Sequence, residues 1–132
     1  MIPCNVYSAT CPSRRALDRV SDKWSALIVT LLAERPLRFG ELRRGIGGVS
    51  QKMLTQTLRS LEGDGLVARR VFATSPVTVE YSLTPLGETL VEPLAALCRW
   101  AEGHMAEVEA ARADYRRALG RDAATVVAAA IA

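Results

Sequence analysis

Trp24, Leu27, Ile28, Leu31 and Leu32 recur at intervals of three and four within "DKWSALIVTLLAERP". That spacing predicts a helix with a broad apolar face, ended by Pro36. A shorter helix is predicted before it. Pro12 suits a first turn, and Leu17 and Val20 are expected to face inward. In "LRFGELRRGI", Phe39, Leu42 and Ile46 share one side of a third helix, while Arg38, Arg43 and Arg44 point elsewhere. Gly47-Gly48 then breaks the chain, and Ser50 is a favourable N-cap.

The next segment, "GGVSQKMLTQTLRSLEGDGLVARR", contains a helix with a one-sided pattern. Leu54, Leu58 and Leu61 form its apolar stripe. At about 100° per residue, Gln51, Lys52, Thr55, Gln56, Arg59 and Glu62 gather on another arc. Gly65 supplies the stop. The period then changes to two. "LVARRVF" and "VTVEYSL" are rich in Val, Phe and Tyr, and Val77, Val79, Tyr81 and Leu83 alternate as on a half-buried strand. "ATSP" between them reads as a turn, so the pair is expected to be an antiparallel hairpin.

Thr84 and Pro85 open a last helix, with Leu86, Leu90, Leu94, Leu97, Ala101, Met105 and Val108 at intervals of three or four. Pro93 is expected to bend this helix without ending it. Such a stripe on a terminal helix needs a partner. The tail "AATVVAAAIA" is apolar and of low complexity, and the pattern assigns it no role.

The expected fold is therefore mainly α with a small β-hairpin wing, an α+β winged helix-turn-helix. Residues 1–10 read as a flexible arm, 11–83 as the winged domain, 84–119 as a dimerisation helix region and 120–132 as the tail. In this arrangement the polar arc is shaped for the major groove of double-stranded DNA. Ser50, Gln51, Lys52, Thr55, Gln56 and Arg59 are the candidate base readers, because Gln matches adenine while Arg and Lys match guanine. The helix start also favours phosphate. Arg38, Arg43 and Arg44 flank the preceding helix and are candidates for the DNA backbone. Arg69 and Arg70 alternate on the first wing strand, so only one can face DNA. Arg70 is the candidate, and a cross-strand pair with Glu80 is its alternative. Thr74 and Ser75 at the wing tip complete the backbone set. The tip holds no Lys or Arg, which argues against an arginine inserted into the minor groove.

Composition sharpens this reading. The chain has 132 residues, 49% of them hydrophobic, enough for one domain with a core. Net charge is +3, but it is unevenly spread. Residues 1–72 hold 12 basic and 6 acidic residues, and residues 73–132 hold 5 and 8. A basic front half suits a polyanion. Of 17 basic residues, only Lys23 and Lys52 are lysines, and Arg suits bidentate contact with phosphate or guanine. No apolar run approaches the roughly 18 residues of a membrane helix, and the start lacks a continuous apolar signal region. The expected location is cytoplasmic, with no membrane partner.

Three cysteines, Cys4, Cys11 and Cys98, do not suit a secreted disulfide framework. No pair has zinc-ligand spacing, and His104 is the only histidine, so no metal and no cofactor are expected. Cys11 precedes Pro12 at a helix start, with Arg14 and Arg15 within one turn. That setting favours thiolate and makes Cys11 a candidate redox or electrophile sensor, with Cys4 and Cys98 as candidate resolving thiols. The bland alternative is a small residue filling space. A thiol enzyme lacks a neighbouring base or a cofactor fingerprint, so no enzymatic activity is expected. Trp24, Phe39, Phe72 and Tyr81 suit a core, or the lining of a small-molecule pocket. Trp100 suits interface packing, and His104 reads as a polar helix residue.

Several ordered segments add a resemblance. They are Cys11-Pro12, Lys23-Trp24, Arg38-Phe39-Gly40-Glu41-Leu42-Arg43, Ser50-Gln51-Lys52-Met53-Leu54, Leu61-Glu62-Gly63-Asp64-Gly65-Leu66-Val67, and the run from Val79-Glu80-Tyr81 to Thr84-Pro85-Leu86-Gly87. Between about Cys11 and Met105 the chain resembles the HxlR-type transcriptional regulators, a bacterial winged-helix family similar in shape to the MarR group. The resemblance implies a homodimer with N- and C-terminal dimerisation helices, bound to an inverted-repeat operator. It further implies, for some members, a thiol sensor matching Cys11 and responses to aldehydes, quinones or oxidants; a small-molecule inducer is a further partner it allows. Asp22 departs from the small residue usual before Lys-Trp. The expected function is a sequence-specific regulator that acts as a repressor; the competing reading is a winged-helix protein–protein module that does not bind DNA.

Overall fold

The computed structural model of the chain describes residues 5–131, which divide between two compact units, Met1–Ala95 and Ala96–Ala132. Cys4 lies outside the described residues. In the first unit, α1 (Pro12–Val20) is followed by α2 (Lys23–Leu32), β1 (Leu37–Arg38), α3 (Phe39–Gly45) and α4 (Gln51–Gly63). The chain continues through β2 (Val67–Phe72), β3 (Thr78–Leu83) and α5 (Pro85–Glu88) to α6 (Val91–Ile131).

Ile28, Val29 and Leu32 of α2, Leu42 of α3 and Leu54, Leu58 and Leu61 of α4 meet in one core with Val67 and Leu94. The expected stripes of α3 and α4 are thus the buried ones. On α2 the deepest face is Ser25, Ile28, Val29 and Leu32, while Trp24, Leu27 and Leu31 border it half-buried. A serine inside the stripe hid its true centre. Ser25 is accommodated because Asp22, the N-cap, accepts hydrogen bonds from its backbone nitrogen and its hydroxyl, both at 3.2 Å. Leu17 does not face inward; it is 53% exposed, and α1 buries no residue fully. Two apolar positions on a nine-residue surface helix leave its rotation undetermined.

The sheet has three strands, not two. Its order is β1-β3-β2, all antiparallel, with Leu37 opposite Tyr81 and Arg38 opposite Glu80. A two-residue strand offers no period to read. The hairpin register sets Val67 against Leu83, Arg69 against Tyr81 and Arg70 against Glu80. Val77 falls outside β3 and is exposed.

α4 ends in a Schellman motif. Leu66 N donates to Leu61 O and Gly65 N to Glu62 O, both at 3.0 Å. Gly65, at φ 75°, takes the left-handed position this requires. The last helix is not one bent helix. α5 stops at Glu88, and Pro93 lies in the first turn of α6. A helix running unbroken through Thr89 would set the Pro93 ring against the Thr89 carbonyl; restarting at Val91 puts proline where no N–H acceptor is needed.

In the second unit α6 continues through the apolar tail, which is helical to Ile131. Leu97, Trp100, Met105, Tyr115, Leu119, Val126 and Val127 are exposed on it. His104 stacks on Trp100, with ring centroids 5.0 Å apart, and its Nδ1 lies 2.9 Å from the Trp100 carbonyl oxygen. No helix among the described residues is long and apolar enough to cross a membrane.

Candidate nucleic-acid interface

α3 and α4 meet through the turn at residues 46–50, where Ile46 and Val49 are buried and Gly48 adopts φ 81°. Ser50 caps α4 by accepting from Met53 N at 3.0 Å. Burial of Leu54, Thr57, Leu58 and Leu61 leaves the opposite side of α4 in solvent. Lys52, Gln56 and Arg59 lie farthest from the core and are exposed. Gln51 leans toward α3, where it shares a hollow with Phe39, Gly40, Arg43 and Arg44. Thr55, half-buried, donates its hydroxyl to Gln51 O at 2.8 Å. The six candidate readers therefore occupy one end and one face of a single helix.

Arg38 precedes α3 and donates its backbone N–H to Glu41 Oε1 at 2.9 Å. Glu41 also accepts from Arg35 Nη2 at 3.2 Å. The Arg38 backbone bond, then the Arg35 side chain, hold the Glu41 carboxyl below its ordinary range. Arg35, Arg38, Arg44, Glu41 and Glu80 border a common hollow, and Arg43 and Arg44 of α3 lie beside Gln51 of α4.

The two wing arginines separate as alternation requires. Arg70, the favoured one, lies in the row Arg38–Glu80–Arg70 across the sheet, and its guanidinium carbon sits 4.7 Å from the Phe72 ring centroid. Arg69 lies in the row with Leu37 and Tyr81 and lines a crevice with Thr55, Arg59 and Glu62 of α4. Arg69 is thus the wing arginine that lies beside α4. The sign of the alternation could have been read from Val67, whose burial sets the inward face. Thr74 and Ser75 are exposed at the wing tip, where Thr74 Oγ1 donates to Pro76 O at 2.8 Å.

Cys11 is the half-buried N-cap residue of α1, followed by Pro12, and Arg14 and Arg15 are exposed one turn on. Cys98 is half-buried in the other compact unit. Beside α1, residues Pro12, Ala16, Val20, Leu66, Leu86 and Leu90 line a mostly apolar groove of about 550 Å³. Arg19 closes one side through an ion pair with Asp64 at 2.5 Å. Nothing in the sequence pattern indicated this groove. Among the described residues no group of three or more His, Cys, Asp or Glu could hold a metal ion.

A family model described as HxlR-like helix-turn-helix matches residues 19–109. The HTH-type transcriptional regulator YtfH of Escherichia coli is 49% identical over 108 residues, covering 82% of this chain and 86% of that protein. The structure of the transcriptional regulator YtfH from Salmonella typhimurium is 44% identical with a TM-score of 0.77, over 83% of this chain and 98% of that one. The redox regulator HypR in its oxidized form is 39% identical with a TM-score of 0.66, over 70% and 96% of the respective chains.

Proposed function

Since the chain belongs to the HxlR-like helix-turn-helix family, we propose that it is a homodimeric, sequence-specific DNA-binding regulator that represses transcription and responds to oxidants or electrophiles. One observation carries the DNA reading: the solvent face of α4 presents Gln51, Lys52, Gln56, Arg59 and Glu62, with Met53 exposed at its edge, and arginines of α3 and the sheet border it on both sides. Ser50, Gln51, Lys52, Thr55, Gln56 and Arg59 meet the major groove. Arg38, Arg43 and Arg44 hold the backbone beside it, and Thr74 and Ser75 meet the backbone from the wing. Backbone contacts orient the protein, and side chains at base edges select the sequence.

The exposed apolar residues of α6 support a two-fold pairing. Two copies present two recognition helices, so the operator is an inverted repeat with half-sites about 10 bp apart or a multiple. Cys11 is the sensor. Its place at the start of α1, near Arg14 and Arg15, favours the reactive thiolate, and the similar HypR is named a redox regulator.

A gel shift on genomic fragments tests the reading and separates it from a protein–protein module. Wild-type protein retards a subset of fragments. The K52A/Q56A double variant keeps its fold but loses its preference among them, about 1–3 kcal/mol for each base contact removed. Equal selectivity in that variant would exclude this helix face as the reader.

A further inference from the structure

The crevice between α4 and the sheet is where charged side chains of the recognition helix and of the hairpin line one space. Its walls are Thr55, Arg59 and Glu62 from α4 and Arg69 and Tyr81 from the hairpin, and buried Leu58 forms its floor. Its volume is about 340 Å³. Two guanidinium groups and one carboxylate border it, leaving one net positive charge. That complements a single phosphodiester. On the outer sheet face Arg38 and Arg70 flank Glu80 with the same net charge, but Arg70 lies over the Phe72 ring and does not line the crevice with α4.

We propose that this crevice holds one backbone phosphate of the operator, gripped between Arg59 and Arg69. The inference rests on the DNA reading above and extends it. If α4 occupies the major groove and the wing reaches toward the adjacent minor groove, the strand dividing the two grooves must cross the boundary between α4 and β2–β3. Arg69 is the cation on the sheet side of that boundary and Arg59 the one on the helix side. Guanidinium forks match phosphate oxygens bidentately. The Thr55 hydroxyl proton is already given to Gln51 O, so the arginines and the Tyr81 hydroxyl are the donors. Glu62 limits the pull of the site, so that it takes one phosphate without dominating binding. Arg59 thereby serves the backbone, leaving Lys52 and Gln56 as the outermost base readers.

The test measures binding of the full-length protein to an operator duplex and a scrambled duplex across a salt series. Arg69→Ala and Arg59→Ala should each weaken both duplexes by the same factor. Each should flatten the slope of log K against log salt by about 0.9 per lost contact, roughly 1.8 for a two-fold dimer. Arg70→Ala should keep the wild-type slope, and Glu62→Gln should tighten both duplexes. A wild-type slope in Arg69→Ala, or a loss confined to the operator in Arg59→Ala, overturns the assignment. Failure of wild-type protein to bind either duplex overturns the DNA reading itself, and so is distinct from failure of the crevice.

Discussion

A β-carbon added to Gly87 would lie 2.0 Å from the carbonyl oxygen of Leu66. The two residues belong to opposite ends of the hairpin, Leu66 just after α4 and Gly87 in α5. Thr84 reinforces the closure. Its hydroxyl donates to Gly65 O at 2.6 Å, its backbone nitrogen donates to Leu66 O at 3.1 Å, and its oxygen accepts from Gly87 N at 3.0 Å. The end of the recognition helix and the return from the wing are thus clamped together, which holds the Arg69 strand at a set distance from α4.

Gly87→Ala should therefore destabilise the fold by at least the roughly 1–3 kcal/mol typical of overpacking, because the clash is with backbone rather than a yielding side chain. Urea denaturation measures this. A midpoint equal to wild type would show that α5 can move away without loss.

Asp22 should matter for stability and not for DNA. Asp22→Ala removes the cap of α2 and should lower stability by about 0.5–2 kcal/mol, while Asp22→Asn should change it little. Operator affinity of folded Asp22→Ala, measured well below its urea midpoint, should match wild type. Lost affinity without lost stability would give Asp22 a role that its contacts do not explain.

Glu41 makes part of the stability acid-sensitive. Its folded pKa is depressed, chiefly by the Arg38 backbone bond and next by Arg35. The contribution is therefore present above the ordinary glutamate value and is lost as pH falls through the lower folded value. The stability gap between wild type and Glu41→Gln should be constant near neutral pH and should close below the ordinary glutamate range. A gap that widened on acidification would contradict the assigned sign.

Much of this was legible in the sequence because long periodic elements report their own faces. Leu54, Leu58 and Leu61 announced the buried side of α4, and the polar arc opposite followed from helix geometry. Ser50 and Gly65 marked its two ends. Shorter or mixed signals failed for identifiable reasons. β1 spans two residues, and Ser25 disguised the centre of the α2 face. Leu17 had only one apolar companion on α1. Choosing between Arg69 and Arg70 required knowing which strand face turns inward, which Val67, two residues before Arg69 and buried, marks. The pair of α5 and α6 looked continuous because Leu86, Leu90 and Leu94 keep helical spacing across the break, and the requirement that Gly87 approach Leu66 is a tertiary one.

Cys11→Ser should bind operator DNA like wild type but no longer change affinity when treated with diamide or a quinone. Wild-type protein should respond, and a reductant should reverse the diamide effect. An unaltered response in Cys11→Ser would move sensing elsewhere, and the apolar groove beside α1 would become the place to seek an inducer.

On the proposed reading, α4 selects DNA sequence on behalf of a two-fold dimer. Genomic fragments retained by purified full-length protein, then sequenced with and without oxidant, test it most directly. The expected result is enrichment of an inverted repeat with half-sites about one helical turn apart or a multiple, reduced by oxidant and absent with the K52A/Q56A variant. Retention of fragments with no common sequence, or the same repeat recovered by that variant, would contradict it.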